Sequence, residues 1–241
     1  MRQVLLFAAI YLTVILTACE TMAVETNTGE NNGKENTGSQ KTELTYLALG
    51  DSYTIGESVD ASMRWPVQLV ERLRGDSVMI ADAQIIARTG WTTDELMKGI
   101  DAANPGYDYD LVSLLIGVNN QYRGRDIDNF RIELAQLMDI AIERAGNMKT
   151  NVIVLSIPDW GVMPFAAGRD RDEIAARIDA FNNVVREESS KAGLKFFDIT
   201  GISRQAATDN SLHAGDGLHP SGLMYTLWVD TVYSHVLDLL Q

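Results

Sequence analysis

Residues 44–241 read as an α/β domain, a three-layer α/β/α sandwich on a central, mainly parallel five-stranded sheet. Two observations predict it. Short strand-forming runs alternate strictly with longer amphipathic stretches, and each connection is long enough for a crossover helix rather than a hairpin turn. Right-handed crossovers then cover both faces of a parallel sheet. No internal repeat interrupts the alternation.

The strands are expected over 44–49, 78–87, 110–116, 151–157 and 195–199, where apolar and β-branched residues concentrate. Helical patterns occupy 64–74, 93–103, 127–145, 172–192 and 220–240. Within the third of these, Ile127, Phe130, Leu134, Leu137, Met138 and Ala141 recur at three- and four-residue spacing, which gives one buried face. Gly75, Gly146 and Gly193 each follow a helical stretch, where a left-handed residue closes a helix.

The first 43 residues are of another kind. Arg2 precedes an apolar run over 4–16 broken only by Thr13, followed by Leu16-Thr17-Ala18-Cys19. Such a run is short for a membrane span and reads as a signal peptide over 1–18. Its end resembles the bacterial lipobox, which implies cleavage before Cys19 and acylation of that cysteine. The chain has one cysteine, so neither an internal disulfide nor a cysteine-based metal site is possible. Residues 20–42 are rich in Asn, Gly, Thr and Glu and read as a disordered polar tether. A membrane-anchored lipoprotein of the bacterial cell envelope is the expectation. The net charge of −13, from 20 basic and 33 acidic residues, excludes nucleic acid as a partner, since phosphate binding needs a basic face.

In parallel α/β folds, sites gather at the carboxyl ends of the strands. The first strand ends in Gly50-Asp51-Ser52-Tyr53-Thr54, the second in Arg88-Thr89-Gly90-Trp91, and the third in Gly117-Val118-Asn119-Asn120. A fourth cluster, Asp216-Gly217-Leu218-His219-Pro220, precedes the last helical stretch. Together they hold the parts of an acyl-transfer site. Ser52 is the candidate nucleophile, His219 the general base, and Asp216 the group that holds the imidazole. The Ser52 N–H, the Gly90 N–H and the Asn119 amide are candidate oxyanion donors.

These four blocks resemble those of the SGNH, or GDSL, hydrolases, whose letters fall on Ser52, Gly90, Asn119 and His219. The likeness spans about 44–235. It implies a flavodoxin-like fold, no required metal or other cofactor, and hydrolysis of esters or thioesters of lipids, sugars or small acyl compounds. Two positions depart from the common pattern, Tyr53 where many members have Leu and Asn120 where many have Asp. The resemblance points to a serine esterase or lipase, with a carbohydrate acetyl esterase of the same fold as the alternative.

Other readings account for less of the sequence. The segment 50–58 lacks the lysine of a phosphate loop, and Thr54 stands where a Gly-x-Ser-x-Gly elbow needs glycine. His213, Asp216 and His219 are spaced by three and could ligate a metal, but that reading leaves Gly90 and Asn119 unexplained. A non-catalytic lipoprotein that binds a glycan or lipid would have no use for the intact set. The aromatic segment over 158–165 lies at the same end of the sheet, so Trp160, Met163 and Phe165, with Tyr53, Trp91 and Tyr122, are candidate walls of the substrate pocket.

Overall fold

The computed structural model describes residues 43–241, and the leader, Cys19 and nearly all of the tether lie outside them. The described chain forms strands β1 (Tyr46–Gly50), β2 (Gln84–Ala87), β3 (Leu111–Leu115), β4 (Val152–Leu155) and β5 (Lys195–Phe197). They lie in one sheet in the order β2-β1-β3-β4-β5, and every pairing is parallel. The helices are α1 (Ser52–Ile55), α2 (Trp65–Gly75), α3 (Thr93–Ala103), α4 (Val118–Tyr122), α5 (Ile127–Arg144), α6 (Arg171–Ala192), α7 (Thr200–Arg204) and α8 (Gly222–Leu240).

The strand order fixes the layers. From β1 the chain steps outward to β2 through α2, then crosses back over β1 to β3 through α3 and advances through α5 and α6. With right-handed crossovers, opposite directions of travel put helices on opposite faces. Accordingly α2 packs against α8, and α5 against α3 and α6. The middle strands are closed to solvent on both sides, with Leu47, Ala48, Leu49, Val112, Leu114, Val152 and Ile153 fully buried. This is why they read as continuous apolar runs rather than alternating ones.

The expected elements are present, with two differences. The second strand is shorter than its apolar run. Residues 78–81 form only an isolated bridge, in which the Leu44 N–H donates to the Met79 carbonyl at 2.7 Å and the Ala81 N–H to Leu44 at 2.9 Å. Asp82, ion-paired with Arg74 at the surface, then leads the chain out of the ladder until Gln84. The expected left-handed closures occur at Gly146 and Gly193, but Gly75 is the last residue of α2 and Ser77 takes the positive φ instead. Among the described residues, no helix is long and apolar enough to cross a membrane.

One contact under the site depends on a missing side chain. A Cβ on Gly50 would fall 2.2 Å from Thr54 Oγ1 and 2.5 Å from the Leu115 carbonyl. Only glycine lets the chain turn from β1 into α1 this tightly against β3.

Candidate active site

The β1–α1 turn places Ser52 at the first position of α1. Asp51 caps that helix, its Oδ1 accepting the Tyr53 N–H at 3.0 Å. Asp51 is wholly buried, and burial pushes its carboxyl up to about 7 against the hydrogen bonds it accepts.

The loop before α8 is folded around another carboxylate. Asp216 Oδ1 accepts the N–H groups of Leu218 at 2.9 Å and His219 at 3.0 Å, and Oδ2 meets His219 Nδ1 at 2.6 Å and the Ser58 hydroxyl at 2.7 Å. Partial burial works to raise this carboxyl, but the four hydrogen bonds outweigh it and hold Asp216 well below the ordinary carboxylate range. With Nδ1 on the carboxylate, Nε2 is the imidazole nitrogen left to act on the cleft. The Tyr53 ring packs against the imidazole at 5.9 Å, with an interplanar angle of 65°.

The other strand ends face these two. Gly90 sits at φ +87° in the loop after β2. Its carbonyl accepts Arg123 Nη2 at 2.6 Å. Asn119, in the first turn of α4, donates from Nδ2 to the Trp91 carbonyl at 2.9 Å and lies 3.5 Å from Asp51 Oδ2. Ser52, Gly90, Asn119 and His219 all line one cleft of about 170 Å³. Its remaining walls include Tyr53, Val118, Tyr122, Trp160, Phe165 and Leu218.

Residues 48–227 match the family model described as GDSL-like lipase/acylhydrolase. The chain belongs to that family. It is an ester-hydrolysing enzyme. Solved structures similar to this GDSL-family chain include a psychrotrophic esterase EstA from Pseudoalteromonas sp., inhibited by monoethylphosphonate, with 18% identity and a TM-score of 0.64 over 82% of this chain and 99% of that one. A lipase/acylhydrolase from Enterococcus faecalis is 22% identical, with a TM-score of 0.62 over 82% and 97% of the two chains. A variant of Axe2, an acetyl-xylooligosaccharide esterase from Geobacillus Stearmophilus, is 17% identical, with a TM-score of 0.60 over 80% and 94%. At these identities the likeness establishes the fold. No curated protein sequence matches the chain.

Six residues were expected around the substrate pocket of this family member, and four line the cleft. Tyr122, Trp160 and Phe165 pack as a group, the Tyr122 and Trp160 ring centroids 5.2 Å apart, and Tyr53 lies beside His219. The other two point elsewhere. The Trp91 indole lies over α3, where a Cβ on Gly99 would come within 2.1 Å of it, and Met163 is fully buried in the core. The triplet His213, Asp216 and His219, set aside above as a metal set, is not brought together either. His213 Nδ1 is 2.9 Å from the Ala214 carbonyl, and among the described residues no three His, Cys, Asp or Glu side chains gather as a metal site.

Of the two departures from the family pattern, Tyr53 lines the cleft while Asn120 is buried beneath it. Asn120 accepts the Thr93 N–H at 3.1 Å and donates to Thr93 Oγ1 at 2.7 Å, which ties α4 to the start of α3. Sequence reasoning missed Ser58, Arg123, Thr89, Val118 and Leu218. The last two are neighbours of Asn119 and His219, and adjacency was the available signal. Ser58 lies 158 residues from the carboxylate it binds, and nothing local marks it.

Proposed function

We propose that the chain is a serine esterase in which Ser52 is the nucleophile, His219 the general base and Asp216 the group that orients it. The observation that carries this reading is the 2.6 Å pairing of His219 Nδ1 with Asp216 on a cleft that Ser52 shares with Gly90 and Asn119. Ser52 Oγ attacks the acyl carbonyl as His219 Nε2 takes its proton, and the oxyanion is held by the Ser52 N–H, the Gly90 N–H and the Asn119 amide. His219 then protonates the departing alkoxide. Water, deprotonated by the same nitrogen, releases the acid from the acyl-enzyme. Ser52→Ala should abolish hydrolysis of p-nitrophenyl acetate by the purified 43–241 domain, and activity that survives it disproves the scheme.

Cleft size bears on the acyl group. About 170 Å³ is below the roughly 300 Å³ at which pockets for drug-sized ligands begin, and the aromatic group of Tyr122, Trp160 and Phe165 closes one side. Short acyl esters fit best. A carbohydrate acetyl esterase is the second reading. It is favoured by a polar hollow on the far side of Tyr122 and Trp160, lined by Arg169, Asp170, Glu173 and Arg177, which offers both donors and acceptors to hydroxyl groups. A series of p-nitrophenyl esters of rising chain length, run beside acetylated xylan and lysophospholipid, separates these substrates; rates that climb with chain length favour lipids.

The same reading keeps the enzyme at the cell envelope, held by acyl chains on Cys19 with residues 20–42 as the spacer. Incorporation of labelled fatty acid that is lost in Cys19→Ala is the expected result.

A further inference from the structure

The loop that carries Gly90 is open to solvent. Arg88 and Thr89 are exposed, Gly90 is half-buried, and a glycine at φ +87° has no side chain to anchor it. The turn is closed from within by one bond, the Trp91 N–H donating to the Arg88 carbonyl at 3.2 Å, and a backbone donor on it is aimed more sharply where outside groups add to that bond. Three successive residues are tied to three different points. The Thr89 hydroxyl bonds Glu57, the Gly90 carbonyl accepts Arg123, and the Trp91 carbonyl accepts Asn119. Arg123 is the cationic member of the set, and it grips the glycine itself.

Arg123 is also held from behind. It follows the last residue of α4, and its other guanidinium nitrogen meets Glu95 at 3.3 Å. Glu95 accepts the Thr92 N–H at 2.9 Å in the capping box of α3. The guanidinium therefore bridges a helix cap and the Gly90 carbonyl, with two donors set in its planar fork. We propose that Arg123 is a positioning residue for ester hydrolysis: it pins the Gly90 carbonyl from one side while the Thr89–Glu57 bond and the Arg88–Trp91 turn bond hold the preceding peptide, whose Gly90 N–H is offered to the oxyanion. This rests on the assignment of Gly90 as an oxyanion donor.

The test is a double-mutant cycle with p-nitrophenyl acetate. Arg123→Ala should lower kcat about tenfold, since a small misplacement in such a site costs that much or more, while KM stays within threefold and the circular dichroism spectrum is unchanged. Arg123→Lys, which keeps a charged donor for one of the two bonds, should recover most of the rate. Gly90→Ala keeps the N–H but strains the φ +87° backbone that aims it, so with the donor already displaced, adding Arg123→Ala should slow the enzyme less than twofold further. Should the alanine variant fold poorly, Arg123→Met keeps the aliphatic stem and carries the same measurements. A kcat for Arg123→Ala within twofold of the unmodified enzyme overturns the proposal, as does a tenfold loss that persists in the Gly90→Ala background. Ser52→Ala tells the two failures apart. If it stays active the reading of the site is wrong, and if it is inactive while Arg123→Ala is unimpaired only the clamp is wrong.

Discussion

The turn after β1 and the loop before α8 each place a carboxyl next to a residue that lines the cleft, Asp51 beside Ser52 and Asp216 against His219, and they treat it in opposite ways. Asp51 lies wholly inside the fold, with the Tyr53 N–H at 3.0 Å and the Asn119 amide only at 3.5 Å, and burial drives it up to about 7. Asp216 stands at the rim with four donors around it and is driven the other way. Solvent access and donor count decide which carboxyl holds its charge firmly at neutral pH and which titrates there. The one that keeps it is the one that touches histidine.

The comparison breaks first at Asp216. Asp216→Asn would present an amide to His219 and favour the tautomer with the proton on the wrong nitrogen, and kcat on p-nitrophenyl acetate should fall on the order of ten-thousandfold. A fall of less than tenfold would mean the carboxylate is only a loop fastener.

Asp51 gives the next effect, and it concerns stability. Its folded pKa lies above the ordinary value of 3.8, so the folded chain binds this proton more tightly than the unfolded one. Stability contributed by the neutral carboxyl is therefore full at low pH, declines as pH rises from about 4 through about 7, and changes no further above that. Asp51→Asn keeps an oxygen for the Tyr53 N–H and removes the titration. Its Tm should exceed that of the unmodified protein above pH 7, and the gap should close toward pH 4. A constant gap across this range contradicts the assignment.

Ser58→Ala sharpens the comparison at the small end. It removes one of the four hydrogen bonds to Asp216 at an exposed position, so a loss of about 1 kcal/mol or less is expected in urea unfolding at pH 7. With less support for the charged form, the acid unfolding midpoint should move to higher pH. No movement would show that the other three donors suffice.

How far the site was legible follows from where each contact lies in the chain. Asp216 and His219 are three residues apart, so a turn could be inferred to join them, and the strand ends before Ser52, Gly90 and Asn119 were marked by apolar runs that stop. The sheet was legible for the same reason, except at 78–83, where apolar composition begins before the β2 ladder does. Trp91 and Met163 show the limit. Proximity to a catalytic block says that a residue is near the cleft, but packing decides which way its side chain turns, and these two turn into the core. Arg123 and Ser58 act across 33 and 158 residues of chain, and no local pattern encodes such pairs.

The register of the sheet has one more consequence. Gly50 pairs with Ala87 on one side and Leu115 on the other, so β1, β2 and β3 end level. The strand ends from which Ser52, Gly90 and Asn119 follow are thereby set apart by the interstrand distance of about 4.8 Å, a ruler made of backbone. The segment over 158–170, whose Trp160 and Phe165 wall one side of the cleft, hangs from β4 and takes no part in that measurement. Appetite for one ester or another can drift through that segment while the reacting geometry stays in calibration.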